Sequence, residues 1–445
     1  IAWCAASHSG ASTSASSECS PWRVNRSILA FDFACHSPHE VFSSMRRFTL
    51  IVVVLAHCVA AASEWGALAS PPPESSVGEA AAGARSDGAV GTDLRKVLRR
   101  QGEDRAHSYR IPGLATTVKG SLLAVFDVRW ESAGDLPANI DVGLLRSTDH
   151  GETWSPLQVI LDFDAGVPGA LGNGVGDPSI LVDRDTGVVW VAGLWSQGDR
   201  GWKGSGPGLS PAQTGQLVLT RSQDDGLTWS PPINITSQVK QPEWYLCFQG
   251  PGRGLQLRDG TLVFPAQFRD AKQVAHSCFI YSRDHGTRWE ISPPAIPDSP
   301  PTSEAQIAEL SDGSLLISMR DESRSGRRAW SRFVPAPDVR TGAWSDLRFH
   351  LPDPTCMASL VRHPDGFLLF TNPRSERRRE ALTLRLSQDD GKTWTEGQLI
   401  DARPSAYSCL TVLSDGRVGI LYECGDRSAN ETLTFVRLNV RKLAR

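Results

Sequence analysis

The chain has 445 residues, a formal net charge of −3, 40 glycines and 29 prolines. That balance offers neither the basic face that nucleic acid requires nor an acidic solvating tail. So many turn formers suit an all-β protein better than a helical one, and the length calls for a search for repeats before domains are counted.

Residues 1–44, starting at Ile1, show no clear periodicity. At Met45 a secretory leader is legible: Arg46-Arg47, an apolar run from Phe48 to about Ala62, and the small residues Ala60-Ala-Ala-Ser63. The apolar run is short for a bilayer span. Residues 1–44 are therefore expected to be non-native upstream sequence and residues 45–63 a signal peptide. The product would be secreted or lumenal (extracellular or lysosome-like). An uncleaved, membrane-anchoring leader is the alternative, and membrane contact is otherwise expected only through substrate. Residues 64–94, rich in Ala, Gly, Ser and Pro, read as a flexible linker, and residues 95–445 as one folded domain. Beyond the leader stand Cys247, Cys278, Cys356, Cys409 and Cys424, with no Cys-x-x-Cys. Neither a dense disulfide framework nor a zinc site is indicated, though a pair or two could form in an oxidising compartment. Asn234-Ile-Thr and Asn430-Glu-Thr are glycosylation sequons, meaningful only in a eukaryotic secretory route.

Tyr109-Arg110-Ile-Pro112 opens the domain. After it the chain writes nearly the same eight residues four times: Ser147-Thr-Asp-His-Gly-Glu-Thr-Trp154, Ser222-Gln-Asp-Asp-Gly-Leu-Thr-Trp229, Ser282-Arg-Asp-His-Gly-Thr-Arg-Trp289 and Ser387-Gln-Asp-Asp-Gly-Lys-Thr-Trp394. Each reads as a hairpin loop in which Asp accepts turn N–H groups, Gly takes the positive-φ position and Trp covers the loop. The polar groups of such a box are expected to be used up holding the turn, so the boxes argue for a fold and not for a reaction. Thr341-Gly-Ala-Trp344 looks like a worn copy.

A second repeat lies between the boxes: a turn ending in Gly120, Gly187, Gly260, Gly313, Gly366 or Gly416, then a short apolar strand. Units of roughly 50 to 70 residues with several short strands and one turn chemistry describe four-stranded propeller blades. The expected fold is all-β: a six-bladed β-propeller of four-stranded antiparallel sheets, its last blade completed by residues near 95–110. Seven positions after the repeat glycines stand Asp127, Leu194, Gln267, Arg320, Pro373 and Glu423, which should approach one rim from corresponding strands. Polar residues at a strand end are ordinary. Arg320 and Glu423 end strongly apolar strands, however, and buried charges need partners of opposite sign.

Four such boxes form the Asp-box pattern, and over roughly residues 105–440 the chain resembles the sialidases (neuraminidases), bacterial and animal-type exo-α-sialidases with Asp-box repeats. The resemblance implies that Arg110, in Arg-Ile-Pro, is one of three arginines gripping the sugar's carboxylate, a task that suits a planar, always ionised fork. Arg320 matches the second arginine. The third lies in Asn372-Pro-Arg-Ser-Glu-Arg-Arg-Arg379-Glu, where the register favours Arg379 and leaves Arg374, Arg377 and Arg378 as alternatives in a loop that is otherwise ordinary solvated surface. Tyr407 matches the family's nucleophile. Glu423, sixteen residues later, matches the Glu that steadies the first arginine, and Glu304, sixteen before Arg320, the Glu that takes the Tyr proton. The bland reading of Tyr407 is a half-buried propeller tyrosine. Ser408 and Cys409 are neighbouring nucleophile types with no His close in sequence.

The implied chemistry has a physical logic. A sialic acid's anomeric carbon bears its own carboxylate, so an anionic nucleophile would approach against like charge, whereas a neutral phenol would not. An adjacent carboxylate can take the phenol's proton during attack. For the acid/base, Asp127, Asp135 and Asp141 are candidates. Asp127 has Arg129 nearby to hold it ionised, and Asp141 sits on an alternating strand. Asp135, in a Gly/Pro loop at the family's position, is preferred, with closure over substrate expected to raise its pKa. Asn173-Gly-Val-Gly-Asp-Pro178 reads as a rim loop of the second blade and not as a phosphate loop. Trp195, Trp202, Trp244 and Tyr245 could line an aromatic wall, though core packing accounts for at least half of them. The implied activity is removal of terminal sialic acids from glycoproteins, glycolipids and oligosaccharides, with retention and without cofactor or metal. A non-catalytic Asp-box propeller binding glycans or protein ligands is the rival from another class, and a trans-sialidase the rival within the enzymes.

Overall fold

The computed structural model describes residues 92–163, 173–296, 300–345 and 347–442. The expected upstream segment (1–44), leader (45–63) and all but the last residues of the linker lie outside them. Strands dominate, with one four-residue α-helix, Thr236–Val239.

Five hydrogen-bonded sheets carry the strands. One holds Ser108–Thr116, Leu122–Arg129, Ile140–Ser147 and Gln158–Leu161 in chain order. Three more repeat that meander, each with one added short strand. The fifth has seven strands because Gln398–Val412 serves two sets: its first half pairs with Glu380–Ser387 and its second half with Val418–Cys424. Thr92–Arg100 pairs antiparallel with Thr432–Leu438 and completes the last set. The linker expectation is corrected here: Thr92, Asp93 and Leu94 belong to this strand, because the C-terminal strand would otherwise leave an open edge.

Successive sets share their cores. Leu123, Val125, Val189 and Val191 pack between the first and second sets; Trp190 and Trp289 between the second and third; Phe279 and Phe333 between the third and fourth. Trp330 and Phe370 follow, then Leu384 and Ile420, and Phe435 with Tyr109 and Phe126 joins the last set to the first. A closed series of this kind is a β-propeller, whose blades bury both faces against neighbours.

The boxes do more than hold turns. Asp149 accepts from Thr153 N–H (2.9 Å) and Thr153 Oγ1 (2.5 Å), while Ser147 Oγ donates to it (2.8 Å) and accepts from Gly151 N–H (2.9 Å). The pattern recurs at Asp224, Asp284 and Asp389, with Arg288 in place of Thr in the third box. The next residue along is His150, Asp225, His285 or Asp390, each at φ between 55° and 67°. Each reaches the glycine turn of the preceding set. His150 meets Asp415 (3.1 Å), Asp225 takes bonds from Thr117 (2.5 Å) and Ser121 (2.7 Å), His285 meets Asp183 (2.8 Å), and Asp390 accepts from Ser311. The box glycine abuts the same neighbour: a Cβ at Gly286 would stand 2.3 Å from Trp190, and one at Gly151 2.3 Å from Phe435. The expectation that box polar groups are spent within the turn is therefore too narrow, since the boxes also join one set to the next. The worn copy keeps only its ring, Trp344 packing on Phe279 and Phe333.

All five cysteines in the described residues are buried and unpaired, so the pairing left open by the sequence is not made.

Two stability measurements follow. Gly286→Ala should lose roughly 2–4 kcal/mol by denaturant titration, from a strained φ plus collision with Trp190. Gly366→Ala, at φ 99° with nothing within 4 Å, should lose only about 1–2 kcal/mol; equal losses would mean that the glycine makes no joint. The Asp149 and Asp224 carboxyls are each held down to about 2: at Asp149 burial pushes upward and the bonds from Thr153 and Ser147 together outweigh it, and at Asp224 the Thr228 hydroxyl is the chief cause. A depressed folded pKa gives stability that is full above about pH 4 and lost as pH falls toward 2. Asp224→Asn should accordingly flatten the acid limb of a stability–pH curve.

Candidate active site

In four of the sets the first strand carries the same defect. Ladder register shifts between Arg110 and Gly113, between Gly176 and Ser179, between Thr302 and Ala305, and between Ser405 and Ser408. Bulges of this kind turn a strand and re-aim side chains. Here they lie at or beside Ile111, Asp177, Glu304 and Tyr407, all of which line one cavity of about 660 Å³. Ile111 (φ 58°) and Asp177 (φ 57°) have left-handed backbones; strain of that kind persists only where surroundings hold it. Arg320 comes from the end of Leu315–Asp321, Arg379 from the connection before Glu380–Ser387, and Asp135 from the connection after Leu122–Arg129.

Glu423, fully buried, accepts from Arg110 Nε (3.2 Å) and Nη2 (3.3 Å), from Ile111 N–H (2.8 Å) and from Tyr407 N–H (3.2 Å). One carboxylate thus ties the first arginine to the backbone of the last set. Burial alone would lower the Arg110 pKa; Glu423 and its other neighbours raise it above its ordinary value, so the cation is secure. Arg320 Nη1 donates to Glu304 Oε2 (2.9 Å) and to Tyr407 Oη (3.1 Å), and its Nε lies 3.0 Å from Glu322. The buried charges at Arg320 and Glu423 do find opposite partners, although each finds its own and they do not pair with one another. Arg379 Nη2 donates to the Thr355 carbonyl at 3.0 Å. The alternatives to Arg379 are exposed, Arg374 beside Glu396 and Arg378 beside Glu380, and Arg377 is likewise exposed.

Tyr407 stands at the centre. Its hydroxyl donates to Glu304 Oε1 at 2.5 Å. Its ring lies beneath two guanidinium groups, with Arg110 at 5.5 Å and Arg379 at 5.6 Å from the centroid. Burial, and then Glu304, push the phenol well above its usual pKa, while Arg320 and Arg379 act the other way. The oxygen is therefore neutral, with its proton already directed at a carboxylate.

Asp135 accepts from Arg129 Nη1 (2.7 Å) and Arg110 Nη1 (3.5 Å), with a side chain 79% exposed. Its surroundings exclude some water and raise the pKa, but Arg129 and Arg110 outweigh that, and the carboxyl is held below its ordinary value. In this arrangement Asp135 is an anion. The rise expected on closure would need separation from these arginines. The expected Asp127–Arg129 pair forms at 2.8 Å, but burial outweighs it and leaves Asp127 at about 6. Asp141 accepts from Trp130 Nε1 and takes no part in the cavity.

Sequence reasoning missed four charged groups of the cavity lining: Asp177, Asp199, Lys203 and Glu322. Asp177, in the segment read as a rim loop, already belongs to the strand Val175–Val182; burial, then Asp127, Asp135 and Glu304, drive its carboxyl far above the usual range. Its signal was a lone acid after two glycines. Glu322 follows Arg320 by two and accepts from Ser303. Of the four aromatic candidates only Trp202 lines the cavity. Trp195 stacks on Phe163, Trp244 on Phe268, and Tyr245 on Arg269. Of the six rim positions, Leu194, Gln267 and Arg320 line the cavity, Asp127 and Glu423 sit just behind it, and Pro373 does neither. Among the described residues the single His/Asp group with metal-ligand spacing is Asp183, Asp185 and His285, at a box joint, where Asp183 is already bonded to Thr186, Gln256 and His285.

A family model described as a BNR repeat-like domain matches residues 121–420. The solved structure of the Hadza microbial sialidase Hz136 superposes with a TM-score of 0.72 at 43% identity, covering 78% of this chain and 69% of that one. The chain belongs to the sialidase family. Among curated sialidases, that of Bacteroides fragilis is 45% identical over 344 residues and that of Micromonospora viridifaciens 36% over 352. The chain spans 62% and 53% of their respective lengths, and 73% and 75% of its own length is aligned. The residues matched by the family model include Asp135, Glu304, Arg320, Arg379 and Tyr407, and Arg110 precedes them.

Glu423→Ala should cost about 3–5 kcal/mol in a denaturant titration, because it leaves the Arg110 cation buried without its partner. A loss below about 1 kcal/mol, the level of an exposed pair, would contradict the role assigned to that carboxylate.

Proposed function

We propose that the chain is an exo-α-sialidase that removes terminal sialic acids from glycoproteins, glycolipids and oligosaccharides with retention of configuration. The observation that carries this reading is the 2.5 Å hydrogen bond from the Tyr407 hydroxyl to Glu304, set beneath arginines placed for a carboxylate. Arg110, Arg320 and Arg379 would hold the sugar's carboxylate by charge-assisted, forked bonds. Held so, the anomeric carbon faces Tyr407. As the phenol oxygen attacks, its proton passes to Glu304 along the existing bond, so no anion has to approach the carboxylate-bearing carbon. Arg320, bonded to the Tyr407 oxygen and to the other oxygen of the Glu304 carboxylate, would stabilise charge as it moves. Asp135 is the acid that protonates the leaving oxygen and then, as base, activates the water that releases the sugar. It must exchange its bonds to Arg129 and Arg110 for a proton to do so, and the substrate's carboxylate competes for Arg110.

The same reading takes the six strand sets as the six blades of one catalytic domain. It takes the sialylated glycan as partner, the Met45 segment as a secretory leader and the protein as secreted or lumenal.

Tyr407→Phe should lower turnover of an aryl α-sialoside by about 10²–10⁴-fold while the melting temperature holds, since only the reacting oxygen is removed; unchanged turnover would remove Tyr407 from the chemistry. Asp135→Asn should lower kcat/KM, which reports formation of the sugar–Tyr407 bond and not the later water step, by about 10²–10⁴-fold for a sialyl-oligosaccharide and spare it for an aryl sialoside, whose leaving phenol needs no proton. Equal losses on both would take the acid role from Asp135. Scoring free against transferred sugar over a sialoside panel separates hydrolysis from transfer.

A further inference from the structure

Among the three arginines, Arg110 has Glu423 and Arg320 has Glu304, whereas Arg379 has no carboxylate at ion-pair distance among the described residues. Its charge is left for a ligand. Its place is set by a neutral group, the carbonyl of Thr355 at 3.0 Å.

That carbonyl is offered by a strained turn. Thr355 holds φ at 55°, a left-handed conformation that a β-branched residue adopts only when its surroundings force it. The forcing groups lie behind it, out of the cavity. Cys356 N–H donates to Asp353 Oδ1 (3.1 Å), and the Cys356 carbonyl accepts from Arg328 Nη1 (2.5 Å). Arg328 and Asp353 pair at 3.6 Å with both side chains fully buried. Asn372 Nδ2 donates to Asp353 Oδ2 (3.1 Å) and to the Pro352 carbonyl (2.8 Å), and Arg385 fixes its other end. Every bond closes the turn 352–356 or locks its frame.

Stability does not account for such a pair. A buried ion pair with one long contact is commonly matched or bettered by apolar side chains of similar volume. What the pair provides is shape: with the N–H and the carbonyl of Cys356 both bonded to it, the peptide plane that carries the Thr355 carbonyl is held with that oxygen toward Arg379. We propose that Arg328, Asp353 and Asn372 are positioning residues for Arg379, acting through the Thr355 carbonyl. This deepens, and rests on, the reading of the cavity as a sialic acid site. A guanidinium displaced by about 1 Å would lose its fork geometry on the carboxylate while Tyr407 and Glu304 stay in place.

The test is a cycle of variants. Arg328→Met with Asp353→Leu removes both charges and keeps the volume filled. In the wild-type background this pair should raise KM for an aryl α-sialoside about tenfold and change kcat less than about threefold. In an Arg379→Ala background the same pair should shift KM less than about twofold, because the group it positions is gone. Equal shifts in both backgrounds, as general loosening of the fold would give, overturn the proposal. If the double variant does not fold, Asn372→Ser, which removes the bonds to Asp353 and Pro352, goes through the same cycle with the same deciding outcomes. Crystals of the folding variant give a reading without substrate: Arg379 displaced from Thr355 supports the proposal, and Arg379 in its original place overturns it. A wild-type protein that releases no sialic acid refutes the proposed function instead, and the Arg379 position still decides this point.

Discussion

Three guanidinium groups, of Arg110, Arg320 and Arg379, and five carboxyl groups line the walls of one cavity, with Arg129, Asp127 and Glu423 just behind them, and a charge taken out of water must be compensated where it stands. Glu423 meets that demand for Arg110 and, with its remaining lone pairs, takes the N–H groups of Ile111 and Tyr407. The first and last strand sets are thereby tied at the point where the chemistry is proposed to occur. Glu304 meets the demand for Arg320 and at the same time accepts the hydrogen bond of the Tyr407 hydroxyl. The compensating groups are therefore also the groups proposed to do the chemistry. Arg379 is the exception, a cation set against a carbonyl and the face of the Tyr407 ring with no carboxylate at ion-pair distance among the described residues, and it is the natural opening for an anionic ligand.

The backbone serves the same end by local irregularity. A regular propeller strand alternates its side chains across the sheet and would present every second one to the cavity side. The register shifts beside Ile111, Asp177, Glu304 and Tyr407 break that alternation and let adjacent positions do different work. In the last set, Tyr407 offers its N–H to Glu423 and its hydroxyl to Glu304, on two sides of the same strand. Such kinks are affordable because the rest of each set is regular and its core is shared with both neighbours. The joints formed by the box residues add rigidity at the turns, so flexibility is not needed to assemble the site.

Much of this was legible in the chain itself. The eight-residue boxes and the glycine turns declare their own local structure, because Asp, Gly and Trp at fixed offsets make bonds within a few residues, and the propeller follows from their repetition. Arg110, Arg320, Glu304, Tyr407 and Glu423 could be picked out by motif and spacing, and all of them meet around one cavity. The third arginine could only be ranked among four neighbours. The loop Arg374–Arg379 looks uniform in sequence, and burial beside Tyr407 is what singles out Arg379. Asp177 was passed over because a single acid after two glycines has no pattern until Asp127 and Glu304 are brought beside it. The partner of Asp135 was likewise out of view: an exposed loop carboxylate gives no sign that Arg129 and Arg110 hold it as an anion.

Short-range chemistry was thus settled by the order of residues alone: the turns, the repeat, the apolar strands and the kinds of side chain offered at their ends. Charge pairing, bulge placement and the state of each proton were settled only when distant segments met. Arg110 and Glu423 are 313 residues apart in the chain, and Tyr407 and Glu304 are 103 apart. No local rule links such positions. They are fixed by the pairing that charges out of water require, and only the closed ring brings those charges together.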